Sequence, residues 1–286
     1  MRCLDYTAVV RTVEDLCVEA CHCLPEDVRA ALEQAAATES DPAAGDRIRK
    51  LIENARLAGD RMVPLCQDTG LAVVFVEQGA SVAIRPPQDG PNLTILDAIQ
   101  AGVRSGAEKG FLRRSVVADP LRRRNTGTNA PAVVHYTVVP GDRLTLTVMA
   151  KGGGCENRSR FRMFNPSADP GQICDWVVSV ARDAGADACP PLIVGVGIGG
   201  NFETSCLLAK KVLLRDLRVP HPDPFYARME QDLRSAINAC GLGPQGLGGR
   251  STALAVLIEV APCHIASLPV AVNIECHSHR HRTAVL

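Results

Sequence analysis

The chain has 286 residues, enough to bury a substantial core in one large domain or two small ones. Its 31 basic and 31 acidic residues cancel, and aromatic content is only 3%, which argues against bulk nucleic-acid or membrane-surface binding. No apolar run approaches the roughly 18 to 20 residues that span a bilayer, and Met1 to Tyr6 lack the basic stretch and apolar core of a secretory signal. The expected location is therefore the cytoplasm, where the twelve cysteines are not expected to form disulfides. Most free cysteines are small buried hydrophobes, so context has to separate those from metal ligands.

The first 60 residues read as helical. Pro25-Glu26-Asp27 suits a helix start, with proline at the first position and acids in the first turn. Ile48, Leu51, Ile52 and Ala55 fall at helical spacing, with Gly59 where a C-terminal cap belongs. Residues 71–76 and 81–84 read as strands, and Ile95, Ala98, Ile99 and Gly102 share one helical face. Residues 132–139 and 144–149 read as a hairpin about Pro140-Gly141-Asp142. Helices are expected over 173–184, 204–215 and about 225–240, and strands over 192–196, 253–260 and 268–274. The proline-rich run 219–224 reads as a loop. No internal repeat or low-complexity linker is evident. The expected class is α+β: an N-terminal helical section, residues 1–60, followed by mixed β-sheets flanked by helices, residues 61–286, in a single domain spanning 1–286.

Five segments rich in glycine and polar residues interrupt core-like strands. They are Cys66 to Gly70, Asn125 to Asn129, Lys151 to Gly154, Gly195 to Gly200 and Gly243 to Gly249. Glycine is needed where backbone turns sharply or approaches a ligand closely. One such loop is usually only a turn; five in one chain favour a shared site.

Together with Glu156-Asn157, Cys189-Pro190-Pro191, and Asn273 to His277 with Arg280, these segments resemble the class I fumarate hydratase and L-tartrate dehydratase family, specifically its α subunit. The resemblance runs from about residue 10 to the C-terminus in the expected order. It implies a [4Fe–4S] cluster held by Cys66, Cys189 and Cys276, with a fourth iron lacking a protein ligand. These cysteines are 123 and 87 residues apart, so spacing alone would not have found them. The resemblance assigns an acid/base role to Asp68, against the simpler reading in which aspartate caps the turn at Thr69-Gly70. It implies substrate binding by Gln67, Arg113, Gly153 and Gly154, with Arg114 the alternative to Arg113. An arginine fork suits a carboxylate. Lys151 would add positive charge there, or else be a solvated lysine at a strand end.

The implied reaction is reversible hydration of a small dicarboxylate, with fumarate, tartrate and mesaconate unresolved. Single-chain relatives continue into a second, β-type domain, whereas this sequence ends at Leu286 soon after the third ligand motif. The resemblance therefore implies a separate β subunit in an αβ hetero-oligomer. Cys155 departs from the serine expected after the glycine triplet. His264, His277, His279 and His281 with Cys263 superficially suggest zinc, as do Cys17, Cys21, His22 and Cys23; the latter read better as core thiols. Two rivals remain: a nucleic-acid-binding protein using the basic stretch from Arg113 to Arg124, and a non-catalytic metal-binding scaffold subunit.

Overall fold

The computed structural model describes residues 1–87 and 93–286, and these separate into two compact units. Unit 1 comprises Met1–Pro25, Asn54–Gly152 and Arg280–Leu286; unit 2 comprises Glu26–Glu53 and Gly153–His279. The helical section expected over residues 1–60 contributes to both. The regular elements begin with β1 (Arg2–Asp5), α1 (Tyr6–His22), α2 (Glu26–Thr38) and α3 (Pro42–Arg61). There follow β2 (Leu71–Gly79), β3 (Val82–Arg85), α4 (Ile95–Lys109), β4 (Val133–Val139) and β5 (Leu144–Lys151). Then come α5 (Gly153–Glu156), β6 (Arg160–Phe164), α6 (Pro170–Ala184), β7 (Leu192–Gly199) and α7 (Phe202–Lys211). The last are α8 (Pro224–Ala239), β8 (Ala253–Ala261), β9 (Leu268–Glu275) and β10 (His281–Val285). Helices with mixed sheets make this the α+β class that the sequence implies. Among the described residues no helix is long and apolar enough to cross a membrane.

In unit 1, Val9, Val13, Leu16 and Cys17 recur at helical spacing and turn one face of α1 into the core. They meet Ala98, Ile99 and Val103 of α4, and both helices cover Val74, Val76, Leu146 and Val148 of the sheet. The two helices approach closely because α4 has glycine at the crossing. A Cβ on Gly102 would lie 2.6 Å from Val13 Cβ and 2.7 Å from the Val10 carbonyl oxygen, and one on Gly106 would lie 2.7 Å from Cys17 Cβ. Thr94 and Asp97 form a reciprocal capping box that starts α4.

The sheet order is β10-β5-β2-β4, which overturns the expected hairpin. β4 and β5 do not pair; β2 lies between them, parallel to β4 and antiparallel to β5. Burial decides this. Val73 to Val76 are all buried, so β2 takes a central place, whereas Val133, Tyr136 and Val138 of β4 are exposed and suit an edge. The turn at 140–142 arches over the end of β2, where a Cβ on Gly79 would lie 2.5 Å from the Gly141 oxygen. Gly59 is also not a cap. The i,i+4 ion pair Arg56–Asp60 at 2.6 Å spans it, α3 continues to Arg61, and Met62 takes the left-handed conformation instead. The helix expected to reach Arg215 ends as α7 at Lys211 and tightens into a 3₁₀ turn, Val212–Leu214.

Unit 2 has its own sheet, β6-β9-β7-β8, over a core that includes Val177, Ala181, Leu192, Val194, Leu233, Val256 and Val272. α6 starts on Asp169, capped reciprocally with Gln172 and with Pro170 in the first turn; α8 starts on Asp223 with Pro224. A carboxylate from α8, Glu230, pairs with Arg215 and accepts the Ile258 N–H at 2.7 Å, tying that helix to β8.

The two four-stranded sheets share one strand pattern. Neighbours run antiparallel, antiparallel, parallel in both β10-β5-β2-β4 and β6-β9-β7-β8. In each, a central strand (β2 or β7) is followed by helix, a parallel edge strand (β4 or β8), then a return strand (β5 or β9) on its other side. The fourth strand of each sheet is supplied by the chain that follows the return strand of the other unit: β6 follows β5, and β10 follows β9.

Two alanine substitutions separate a crossing glycine from an ordinary helical one. Gly102→Ala should lower unfolding free energy by about 1–3 kcal/mol through overpacking. Gly45→Ala, whose Cβ would meet only the Arg49 side chain at 3.3 Å, should be neutral or stabilising by up to about 1 kcal/mol. Urea midpoints compare the two; an unchanged midpoint for Gly102→Ala would refute the close crossing.

Candidate functional site

Strand polarity gathers the motif segments of unit 1 at one end of its sheet. β2 begins at Leu71, just after Cys66 to Gly70, and pairs there with Lys151, the last residue of β5. β4, parallel to β2, begins just after Asn125 to Asn129. β10 begins at His281, opposite Met149, just after Arg280. Three strand starts and one strand end thus deliver four motif segments to the same edge.

Contacts there are close. Gly70 has φ +73°, and a Cβ on it would lie 2.5 Å from the Lys151 carbonyl oxygen. Asp68 Oδ1 accepts the Gly70 N–H at 2.9 Å, so Asp68 does cap the turn. Its Oδ2 lies on the Gly152 side, 3.4 Å from where a Gly152 Cβ would stand. Arg280, only 2% exposed, donates from Nη1 to the Asp68 carbonyl at 2.7 Å. Its own carbonyl accepts the Ala150 N–H at 2.9 Å. Cys66 is half-buried and Gln67 exposed. Lys151 is 2% exposed, which overturns the solvated reading.

The Arg113 carbonyl accepts from Thr69 Oγ1 at 2.8 Å and from Asn129 Nδ2 at 2.7 Å, so two motif segments hold its backbone while the residue stays exposed. Arg114 is held instead by Asn125, at 3.0 Å.

In unit 2 the same logic recurs. β7 starts at Leu192, just after Cys189; β8 starts at Ala253, soon after Gly243 to Gly249; β9 ends at Glu275, just before Cys276. β6, antiparallel to β9, starts at Arg160, just after Gly153 to Glu156. Cys189 is exposed and left-handed, at φ +53°. That conformation is strained for cysteine and persists where neighbours impose it. Here the Cys189 N–H bonds to the Ala186 carbonyl at 2.9 Å, and His277 Nδ1 donates to the Cys189 carbonyl at 2.9 Å. The Pro190 carbonyl accepts from the Gln245 backbone at 2.8 Å and from Gln245 Nε2 at 2.9 Å. Gly153 and Gly154 are exposed, and a Cβ on Gly154 would lie 3.2 Å from the Asp187 carbonyl.

The Gly195 to Gly200 segment does not belong with these. Gly195 and Gly197 lie within β7, and each would place a Cβ 2.1 Å from a carbonyl oxygen of α7, Ala209 and Ser205 respectively. Their glycines let a helix lie flat on the strand, and Gly199-Gly200 leaves β7 at the end opposite Cys189. Five segments were expected at a shared site; this one is a packing device.

The thiols also sort physically. Burial pushes Cys21 up to about 11 and Cys17 higher still, so both stay protonated. They line a cavity of about 20 Å³ beneath Thr69 and Gly70, room for a single water. His22 Nε2 bonds to the Gly110 carbonyl at 3.1 Å, and His279 Nε2 accordingly meets the Leu213 carbonyl at 2.7 Å. Among the described residues, the one group of three or more His, Cys, Asp or Glu donors within 4.8 Å of one another is Cys155, Glu275 and Cys276. Sequence reasoning named Arg280, Gln245 and His277 only as parts of motifs; their positioning roles carry no signal in periodicity or spacing.

The family described as Fumarate hydratase (Fumerase) matches residues 10–285. A Methanocaldococcus jannaschii protein, provisionally named L(+)-tartrate dehydratase subunit alpha, is 38% identical over 273 residues, 94% of each chain. The L(+)-tartrate dehydratase subunit alpha of Escherichia coli strain UTI89 is 34% identical, covering 91% of this chain and 84% of its own. The K12 protein of the same name is 32% identical, covering 92% and 86%.

Arg280 is the testable pivot of the unit 1 edge. Arg280→Met keeps bulk but removes the charge-assisted bond to the Asp68 carbonyl, and should cost about 1.5–3 kcal/mol. Arg122→Met, at an exposed position, should stay within about 0.5 kcal/mol. Urea midpoints read both, and equal midpoints would contradict the pivot.

Proposed function

The chain belongs to the fumarate hydratase family, and we propose that within it this is the cluster-bearing α subunit of a cytoplasmic hydro-lyase. Its substrate would be a small dicarboxylate: fumarate by the family's description, with malate as the hydrated partner of that reaction, or L(+)-tartrate by the names of its relatives. A separate β subunit would complete the enzyme, as the relatives' designation as α subunits suggests. The observation that carries the proposal is the delivery of motif residues to one edge in each unit by strand polarity.

Cys66, Cys189 and Cys276 would hold a [4Fe–4S] cluster. The donor set fits: all three are cysteines in the short segments that flank strands, and soft thiolates are the preferred ligands of iron–sulfur clusters. Cys189 is presented outward by a strained, four-bond clamp, as expected of a residue held for a purpose. When bound through three thiolates, such a cluster supplies an open iron as a Lewis acid toward a hydroxyl and a carboxylate.

The chain's own residues would do the rest. Asp68, two residues after Cys66, would hold or move the proton on the cluster side, with Arg280 and Gly70 fixing its backbone and one carboxylate oxygen. Arg113, its backbone pinned by Thr69 and Asn129, would pair with a substrate carboxylate through its planar guanidinium. Gln67 would add a hydrogen bond. Gly153 and Gly154 lack side chains, so substrate could approach their backbone, and Lys151 would add positive charge. The base on the opposite face of the substrate would come from the β subunit.

Anaerobically prepared protein should carry iron and sulfide, and Cys66→Ser, Cys189→Ser and Cys276→Ser should each lose them. Cys174→Ser should not. Full iron and sulfide in all three ligand variants would defeat the assignment. With the β subunit present, Asp68→Asn should lower kcat by roughly 10²-fold or more while iron content is retained; parental kcat would reduce Asp68 to a turn cap.

A further inference from the structure

Cys155 is the thiol that the proposed chemistry leaves unused. Its Sγ, the Cys276 Sγ and a Glu275 carboxylate oxygen lie within 4.8 Å of one another, all buried. Cys155 is 4% and Cys276 8% exposed. Their proximity follows from the fold. Cys155 sits in α5, just before β6, and Cys276 directly follows β9, the neighbour of β6. Two hydrogen bonds fasten this corner: Asn273 Nδ2 to Glu156 Oε2 at 3.2 Å, and the Ile274 N–H to Ser159 Oγ at 3.1 Å. The Cys155 thiol also meets the Ala188 carbonyl at 3.5 Å, one residue before Cys189.

We propose that Cys155 and Cys276 form a reversible disulfide under peroxide whenever Cys276 is not ligating, making this pair a built-in site of oxidative modification. Bridging needs the sulfurs to close to about 2 Å, from a starting separation within 4.8 Å in one buried core. The chemistry balances. Hydrogen peroxide converts one thiol to a sulfenic acid and releases one water. The sulfur of the second thiol then attacks that sulfur, the S–S bond forms, the S–O bond breaks, and a second water leaves. Two thiols lose two electrons and peroxide gains them.

The consequence is protection. A lone oxidised cysteine continues to sulfinic acid, which thiols do not reverse, whereas a disulfide returns both thiols on reduction. Serine, the residue that resemblance leads one to expect at position 155, could not intervene. The thiol pair itself is independent of what Cys276 ligates; only its value to cluster reloading rests on the proposed function.

The test uses the full chain, purified in air with a chelator so that no iron remains. It is treated with hydrogen peroxide, blocked with N-ethylmaleimide and digested with trypsin. The parent should yield peptide 152–158 linked to peptide 251–280, with fragmentation placing the bond on Cys276 rather than Cys263. Dithiothreitol should then return most of the Cys276 thiol. Cys155→Ser should show no link and should lose Cys276 thiol to sulfinic acid that dithiothreitol does not recover. Cys155 fully alkylated in a parent whose Cys276 is oxidised would overturn the proposal, as would equal recovery of Cys276 in parent and variant. No iron enters this assay, so its outcome is separate from that of the ligand variants.

Discussion

The pairing of Leu71 with Lys151 sets the geometry on which the unit 1 edge depends. Once β2 and β5 run antiparallel in that register, the loop before β2 and the loop after β5 must leave the sheet at the same place. Gly70 then passes so close to the Lys151 carbonyl that a side chain could not be accommodated. A slip of one residue would exchange the side chains on the two faces of β2, so the packing of Val74 and Val76 among the α1 and α4 core residues enforces the register. The hydrophobic core thereby fixes where Asp68 stands, although Asp68 itself is only half-buried. Arg280 completes the arrangement from β10, which pairs with β5 on its other side.

Unit 2 meets the same requirement with the same strand pattern but other residues. There the strand ends present Cys189, Cys276 and the Gly243 to Gly249 loop, and backbone strain at Cys189 is held by Gln245 and His277. In both units, rigid paired strands carry the short loops on which chemistry-bearing residues sit, so little of their placement is left to loop flexibility. The buried thiols illustrate the complementary rule. Cys17 and Cys21 lie in the core, where burial keeps them protonated, while Cys66 and Cys189 lie at or near the surface.

Most regular elements were legible because burial writes periodicity into sequence, as in α1, α4 and β7. Pairing was not. Residues 132–149 have every local mark of a hairpin, and only the competition between β2 and β4 for a two-sided buried position decides otherwise. The interleaving of the two units was hidden for a similar reason: β6 and β10 are short edge strands with little buried surface, and nothing near them in sequence states which sheet they join. The motif cysteines were legible only through family resemblance, since they lie 123 and 87 residues apart. Glycine proved ambiguous by itself. Gly70 and Gly195 both permit close approach, but one admits a neighbouring motif and the other a packing helix.

The central claim is that three cysteines of this chain hold four irons and leave one of them to substrate. Mössbauer spectroscopy on the anaerobically loaded chain, enriched in ⁵⁷Fe and combined with the β subunit, tests it most directly. The account predicts a [4Fe–4S] spectrum in which one iron in four is distinct and shifts alone on adding tartrate or malate. Four equivalent irons indifferent to either dicarboxylate, or no cluster at all, would contradict it.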